Sequence, residues 1–111
     1  MARNIAIKDL RKFIFISDPQ TSPDGSMVAF VHTSVDYDKN DYVKHIWIHK
    51  AASGKNIQFT YGSGKDSYPR WSPNGEKLLF LSKDRQADSK TQLYTIDISG
   101  GEAQLIADLE T

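Results

Sequence analysis

Apolar residues along the 111-residue chain fall into short runs separated by polar turn signals, not into the three-and-four spacing of long helices. Met27-Val28-Ala29-Phe30-Val31 and Leu78-Leu79-Phe80-Leu81 are apolar at both parities, which suits a strand covered on both faces. Shorter runs follow at 45–49 and 57–60, and again at 92–98 and 103–106. Adding an inner strand that ends at Ser22 and another at 68–72, the pattern predicts eight short strands. Residues 32–44, polar for the most part, read as a loop between the second and third of them.

The strands come in two copies of one unit. Ser22-Pro23-Asp24-Gly25 recurs fifty residues later as Ser72-Pro73-Asn74-Gly75, and Pro19 matches Pro69 as Phe30 matches Phe80. Further on, Ile46-Trp47 matches Leu93-Tyr94 and Gly54 matches Gly101, now 47 apart. The difference falls in the loop, whose second copy (82–92) is shorter, and length change confined to a connection is what a structural repeat predicts. In each turn Pro presets φ, Asp or Asn can bond the local backbone, and Gly accepts positive φ.

Four antiparallel strands per unit of about 40–50 residues is the signature of a β-propeller blade. The alternative is a small eight-stranded sandwich. A sandwich strand with one solvated face alternates, whereas the runs at 28–31 and 78–81 do not. The expected fold is therefore all-β: two four-stranded antiparallel blades of an incomplete propeller, after a short N-terminal helix. The expected divisions are 1–16 for the helix and lead-in, 17–62 for the first blade and 63–111 for the second.

The segment from Pro69 through Trp71-Ser72-Pro73-Asn74-Gly75 to Ser82, with Leu93-Tyr94 and Gly100-Gly101-Glu102 after it, resembles the TolB-type propeller repeat. The first copy is more particular. Asp18-Pro19-Gln20-Thr21-Ser22-Pro23-Asp24-Gly25, then Asn40 and Tyr42, then His45-Ile46-Trp47, resembles the opening of acylaminoacyl peptidases, in the prolyl oligopeptidase family of serine peptidases. The resemblance runs over roughly residues 5–106. It implies a short N-terminal helix ahead of the propeller, packed on a C-terminal α/β-hydrolase domain. Residues 5–13 can supply that helix, with Ala6, Leu10 and Phe13 on one face. The other reading is a frayed terminus, or a first strand extended through Phe13 to Ile16.

The family's catalytic serine sits in a Gly-x-Ser-x-Gly elbow on the hydrolase domain, followed by Asp and His. This sequence has no such elbow, and Gly62-Ser63-Gly64 has the wrong spacing. No catalytic residue carries over. The family's dipeptidyl peptidases hold a substrate's amino terminus with paired glutamates in the propeller; no Glu-Glu pair occurs here, which favours the acylaminoacyl branch.

Other chemistry is weaker. His45 and His49 share a side of a strand, but without a carboxylate beside them they read as blade surface, not a metal site. Asp36, Asp38, Asn40 and Asp41 lack the glycine and glutamate of a calcium loop. Tyr61-Gly62-Ser63-Gly64-Lys65-Asp66 lacks the first glycine and the hydroxyl of a phosphate-cradling loop, and reads as the flexible link between blades. No metal and no cofactor is expected.

Composition narrows the partners. Fourteen basic and fourteen acidic residues leave a formal charge of zero, and the densest basic group is only Lys8, Arg11 and Lys12, so nucleic acid is not expected. Trp47, Tyr61, Tyr68, Trp71 and Tyr94 read as blade core. No apolar run is long enough to span a membrane, no cysteine is present and no signal peptide is evident, so a cytoplasmic location is expected.

Two blades cannot close a ring of four to eight. Their two outer faces would expose on the order of 600 Å², much of it apolar. The chain is thus expected to be a fragment lacking the remaining blades and the hydrolase domain, or to self-associate. The reading is the propeller segment of an acylaminoacyl-peptidase-like serine peptidase, which would gate short or N-acylated peptides and be inactive alone. The alternatives are a TolB-like module for protein–protein contact and a natural short protein assembling several copies into a ring.

Overall fold

The computed structural model describes residues 14–36, 41–62, 64–83 and 91–107. They form β1 (Ile14–Thr21), β2 (Met27–Asp36), β3 (Asp41–Lys50), β4 (Lys55–Gln58), β5 (Asp66–Trp71), β6 (Lys77–Lys83), β7 (Thr91–Asp97) and β8 (Gln104–Ala107). Two separate antiparallel meanders result, β1-β2-β3-β4 and β5-β6-β7-β8. The helix expected over 5–13 lies outside the described residues, and among the described residues there is none.

Chemically related turns open both sheets. The Ser22 hydroxyl donates to Asp24 Oδ1 (2.8 Å), which also accepts from the Ser26 N–H (2.9 Å), while the Gly25 N–H donates to the Ser22 carbonyl (2.9 Å). In the second sheet Ser72, Asn74, Glu76 and Gly75 repeat these bonds at 2.8, 3.0 and 2.9 Å. Gly25 and Gly75 carry φ of 77° and 73°, a region costly for a residue with a Cβ. The carboxylate of Asp24, held by the Ser26 hydroxyl, the Ser26 N–H and the Ser22 hydroxyl, has its pKa lowered from 3.8 to about 2. Asn74 does the same work without charge.

The polar stretch 32–44 is not the loop its composition suggests. β2 and β3 stay paired through Thr33↔Lys44, Ser34↔Val43 and Val35↔Tyr42 to Asp36↔Asp41. Its β-branched and aromatic residues favour the pleated ladder, and polar side chains do not interrupt backbone pairing. At the other limit, the run 57–60 leaves the sheet early, because the Phe59 and Thr60 N–H groups both turn to the Ile46 carbonyl (2.8 and 3.1 Å).

Both inner strands carry the same bulge. Pairing jumps from Ser17↔Val31 to Gln20↔Ala29 in β1 and from Ser67↔Leu81 to Arg70↔Leu79 in β5. Asp18 (φ 49°) and Tyr68 (φ 59°) occupy corresponding places, each followed by a proline. Proline has no N–H for a ladder, so a bulge is where a sheet tolerates it.

Opposite residues in a strand pair share a face. Ala29 with Ile48 and Val31 with Ile46 therefore point one way from the first sheet, and Leu78 with Ile96 and Phe80 with Tyr94 point back at them from the second. These eight buried side chains form one cluster, which is the core. β5 is the strand of the second sheet that comes closest, running against β1, β2 and β3.

Two outcomes follow. Phe80→Ala should lower the unfolding free energy by about 3–5 kcal/mol in urea titration, and Leu79→Ala, on the partly exposed opposite face, by clearly less. Asp24, with its folded pKa below the ordinary value, adds stability that is complete above about pH 4 and lost as pH falls toward 2. The denaturation midpoint should drop across that window, and Asp24→Asn should remove part of the drop. The remainder belongs to groups such as Asp41 and Asp97, lowered chiefly by hydrogen bonds from Lys65 and from the Ser99 N–H respectively.

Candidate functional site at the seam between the sheets

The polar residues that the fold assembles lie along the seam where β5 meets the first sheet. Leaving β4, the chain runs beside the start of β3 before entering β5. The Lys44 N–H donates to the Gly64 carbonyl (2.7 Å) and the Lys83 N–H to the Lys65 carbonyl (3.2 Å), and Lys44 and Lys65 form an isolated parallel bridge. The segment expected as a flexible link is thus a stitched crossover. Gly64 is required there, since a Cβ would sit 3.2 Å from Val43 Cγ1 at a φ of +73°.

Asp66, 0% exposed, closes the crossover. Its Oδ2 accepts from Thr60 Oγ1 (2.6 Å), which in turn accepts from the Ile46 N–H (2.9 Å); its Oδ1 accepts from Ser82 Oγ (2.6 Å). His45 Nδ1 stands 3.6 Å from Asp66 Oδ2. Ser, His and Asp are gathered here, yet the arrangement is not that of acyl transfer. The serine proton points at the carboxylate, whereas a nucleophile needs the imidazole between serine and aspartate. Ser82 is also fully buried, where no substrate reaches it. The cluster is a pin joining β3, β5 and β6.

A second tie joins the bulges. Asp18 accepts from Gln20 Nε2 and from Arg70 Nη1, both at 3.0 Å. The Arg70 guanidinium lies 3.6 Å from the centre of the Tyr68 ring and donates to the Pro69 carbonyl (2.6 Å). Trp71 Nε1 crosses the seam to the Gln20 carbonyl (2.8 Å). Asp18, Gln20, Tyr68 and Arg70 stand at pairwise equivalent repeat positions, so the repeat brings its own inner-strand side chains together.

Two grooves flank the seam. One of about 410 Å³ is bordered by 59–62, Ile96 and 101–103, with Glu102 as its charged group. The other, about 280 Å³, is lined by Lys44, Lys65, Lys83, Asp41, Tyr42 and Ser67. Basic residues dispersed in sequence thus meet in space, with Lys65 Nζ donating to Asp41 Oδ1 (2.9 Å) and to the Tyr42 carbonyl (3.0 Å). The three lysines come from three separate elements, so no local run betrays them.

The other sequence candidates are dispersed. His49 Nδ1 lies 2.7 Å from Asn56 Oδ1, and His32, not His49, stacks on Trp47 with ring centroids 4.6 Å apart. Of the acidic stretch, Asp41 is engaged by Lys65, while Asp38 and Asn40 lie outside the described residues. Among the described residues no three His, Cys, Asp or Glu side chains gather to hold a metal ion, and no helix is long and apolar enough to cross a membrane.

No family model matches the chain. It is 37% identical over 109 residues to the uncharacterized peptidase YuxL of Bacillus subtilis, covering 98% of this chain and 16% of that protein. Its fold matches the acylaminoacyl peptidase of Pyrococcus horikoshii with a TM-score of 0.73 at 26% identity, over 93% of this chain and 15% of that one. It also matches the β-propeller domain of the trilobed protease of Pyrococcus furiosus, described as having an open velcro topology, with a TM-score of 0.69 at 25% identity, over 87% and 28%. The two sheets are propeller blades of the kind that acylaminoacyl peptidases carry, and the chain spans about a sixth of the length of the peptidase relative.

Asp66→Ala should cost about 3 kcal/mol, since it strands two buried hydroxyls that now bond a charged acceptor. Asp66→Asn, which keeps one acceptor oxygen, should cost less. Urea unfolding of the two variants measures the difference.

Proposed function

We propose that this chain is a propeller segment of an acylaminoacyl-peptidase-like serine peptidase, in which the propeller restricts access of peptides to a separate hydrolase domain. The observation that carries the reading is the 37% identity to a peptidase over nearly the whole chain, first sheet included. The seam supports it. Ser, His and Asp lie together there in an order that serves packing, so the chemistry belongs to another part of the protein. A rigid propeller wall suits a filter: the crossover is stitched to β3 and β6, and the inner strands are latched by Asp18 and Arg70. Short or N-acylated peptides are the substrate class that this reading assigns to the whole protein.

A graft tests it. This chain replaces the matching 109-residue stretch of the B. subtilis relative, and the chimera is assayed on N-acetylaminoacyl anilides and on a long unfolded polypeptide. The chimera should keep kcat/KM on the short substrates within about tenfold of the parent, roughly 1.4 kcal/mol, and leave the long chain intact. The 111-residue chain alone should turn over neither. A folded chimera that degrades the long polypeptide as fast as the short substrates would refute the filter.

A further inference from the structure

The two sheets meet through unlike faces, and each keeps the opposite face uncovered. By the repeat, Leu78, Phe80 and Tyr94, which the second sheet presses on the first, correspond to Val28, Phe30 and Trp47. Those three lie on the face of the first sheet turned away from the second, together with His32 and, by its pairing with that residue, Ile16. Conversely Val31 and Ile46, buried in the seam, correspond to Leu81 and Leu93, which with Leu79 lie on the outward face of the second sheet and stay partly exposed. The molecule therefore presents both halves of its own internal interface, one at each end.

The start of β1 supplies a second, independent observation. Ile14, Phe15 and Ile16 are 53%, 48% and 65% exposed, three large apolar residues in a row. Their repeat equivalents are Gly64, Lys65 and Asp66, the stitched crossover that the first sheet covers. An apolar strand start placed where a neighbouring sheet would cover it has no use in water.

We propose that copies of this chain stack head to tail, the outward face of the second sheet in one copy (Leu79, Leu81, Leu93) seating on the outward face of the first sheet in the next (Ile14, Ile16, Val28, Trp47). The junction repeats the internal one, with Ile16 of the incoming copy taking the place that Asp66 holds within the chain. It needs no covalent crossover, which explains why a buried carboxylate pin is exchanged for exposed isoleucines. A sheet of four strands, seven to ten residues long in its middle pair, presents about 400–600 Å². One junction then removes about 1,000 Å² in total from water, at the lower limit of specific interfaces. Because the faces differ, the contact is heterologous, and it closes into a ring or continues as a series according to its rotation.

Sedimentation of the 111-residue chain between about 1 and 100 μM, the range expected for an interface of this size, should show mass rising with concentration. Ile16→Lys and Leu81→Lys each block one face, so each variant alone should be monomeric with its circular dichroism unchanged. Their mixture should form a one-to-one dimer, because each contributes one intact face and the remaining junction opposes two lysines. An unaltered chain that stays monomeric throughout, single variants that associate like the unaltered chain, or a mixture that stays monomeric overturns the proposal. Any of these leaves the peptidase-segment reading standing, since that reading does not require copies to meet.

Discussion

A sheet that is apolar on both sides cannot be finished by one neighbour, and this constraint governs the molecule. β2, β3, β6 and β7 carry large apolar side chains at both parities, so each sheet needs a layer on either side. The chain meets the need once, where Ala29, Val31, Ile46 and Ile48 close on Leu78, Phe80, Tyr94 and Ile96. Non-directional burial brings the sheets together but does not fix their offset, since apolar surfaces slide past one another at little cost. Directional bonds fix it instead. The Asp66 pin anchors one side of the seam and the Asp18–Arg70 and Trp71–Gln20 contacts anchor the bulges.

The two ties differ in kind, and the difference follows from burial. Asp66 has no solvent contact, so its carboxylate is tolerable only because Thr60 and Ser82 supply hydroxyl donors. Asp18 and Arg70 remain partly solvated, so their Coulombic gain is modest. Their value is geometric. Each bulge holds a residue at positive φ ahead of a proline, an arrangement that persists only where its surroundings over-determine it. Stacking on Tyr68 and bonding to Asp18 let Arg70 over-determine both bulges at once.

Much of this architecture was legible in the residues. The Ser-Pro-Asp-Gly and Ser-Pro-Asn-Gly turns set the register of the repeat, and their bonds match one for one. Where reading along the chain failed, the signal was non-local. The strands β2 and β3 extend through a polar stretch because each residue has a cross-strand partner, which composition within one strand does not reveal. Pro19 and Pro69 did carry a local hint of the bulges, as prolines inside expected strands. The Asp66 pin and the lysine groove draw on three elements each, and nothing in a single run of sequence announces them.

The seam also shows why residue types alone are a poor guide to chemistry. Asp66, His45 and Ser82 contain the inventory of a hydrolytic triad within one buried cluster. Catalysis requires an order of contacts, serine to imidazole to carboxylate, and an approach for substrate. Here the carboxylate stands at the centre, sealed by the two sheets, and what it orients is backbone: the Ile46 N–H through Thr60, and β6 through Ser82. The same three side chains that perform chemistry when exposed and correctly ordered become a fastening when the carboxylate is buried between layers. A peptidase can therefore keep such a cluster in its propeller with no competing reactivity, because burial denies the serine both a base and a substrate.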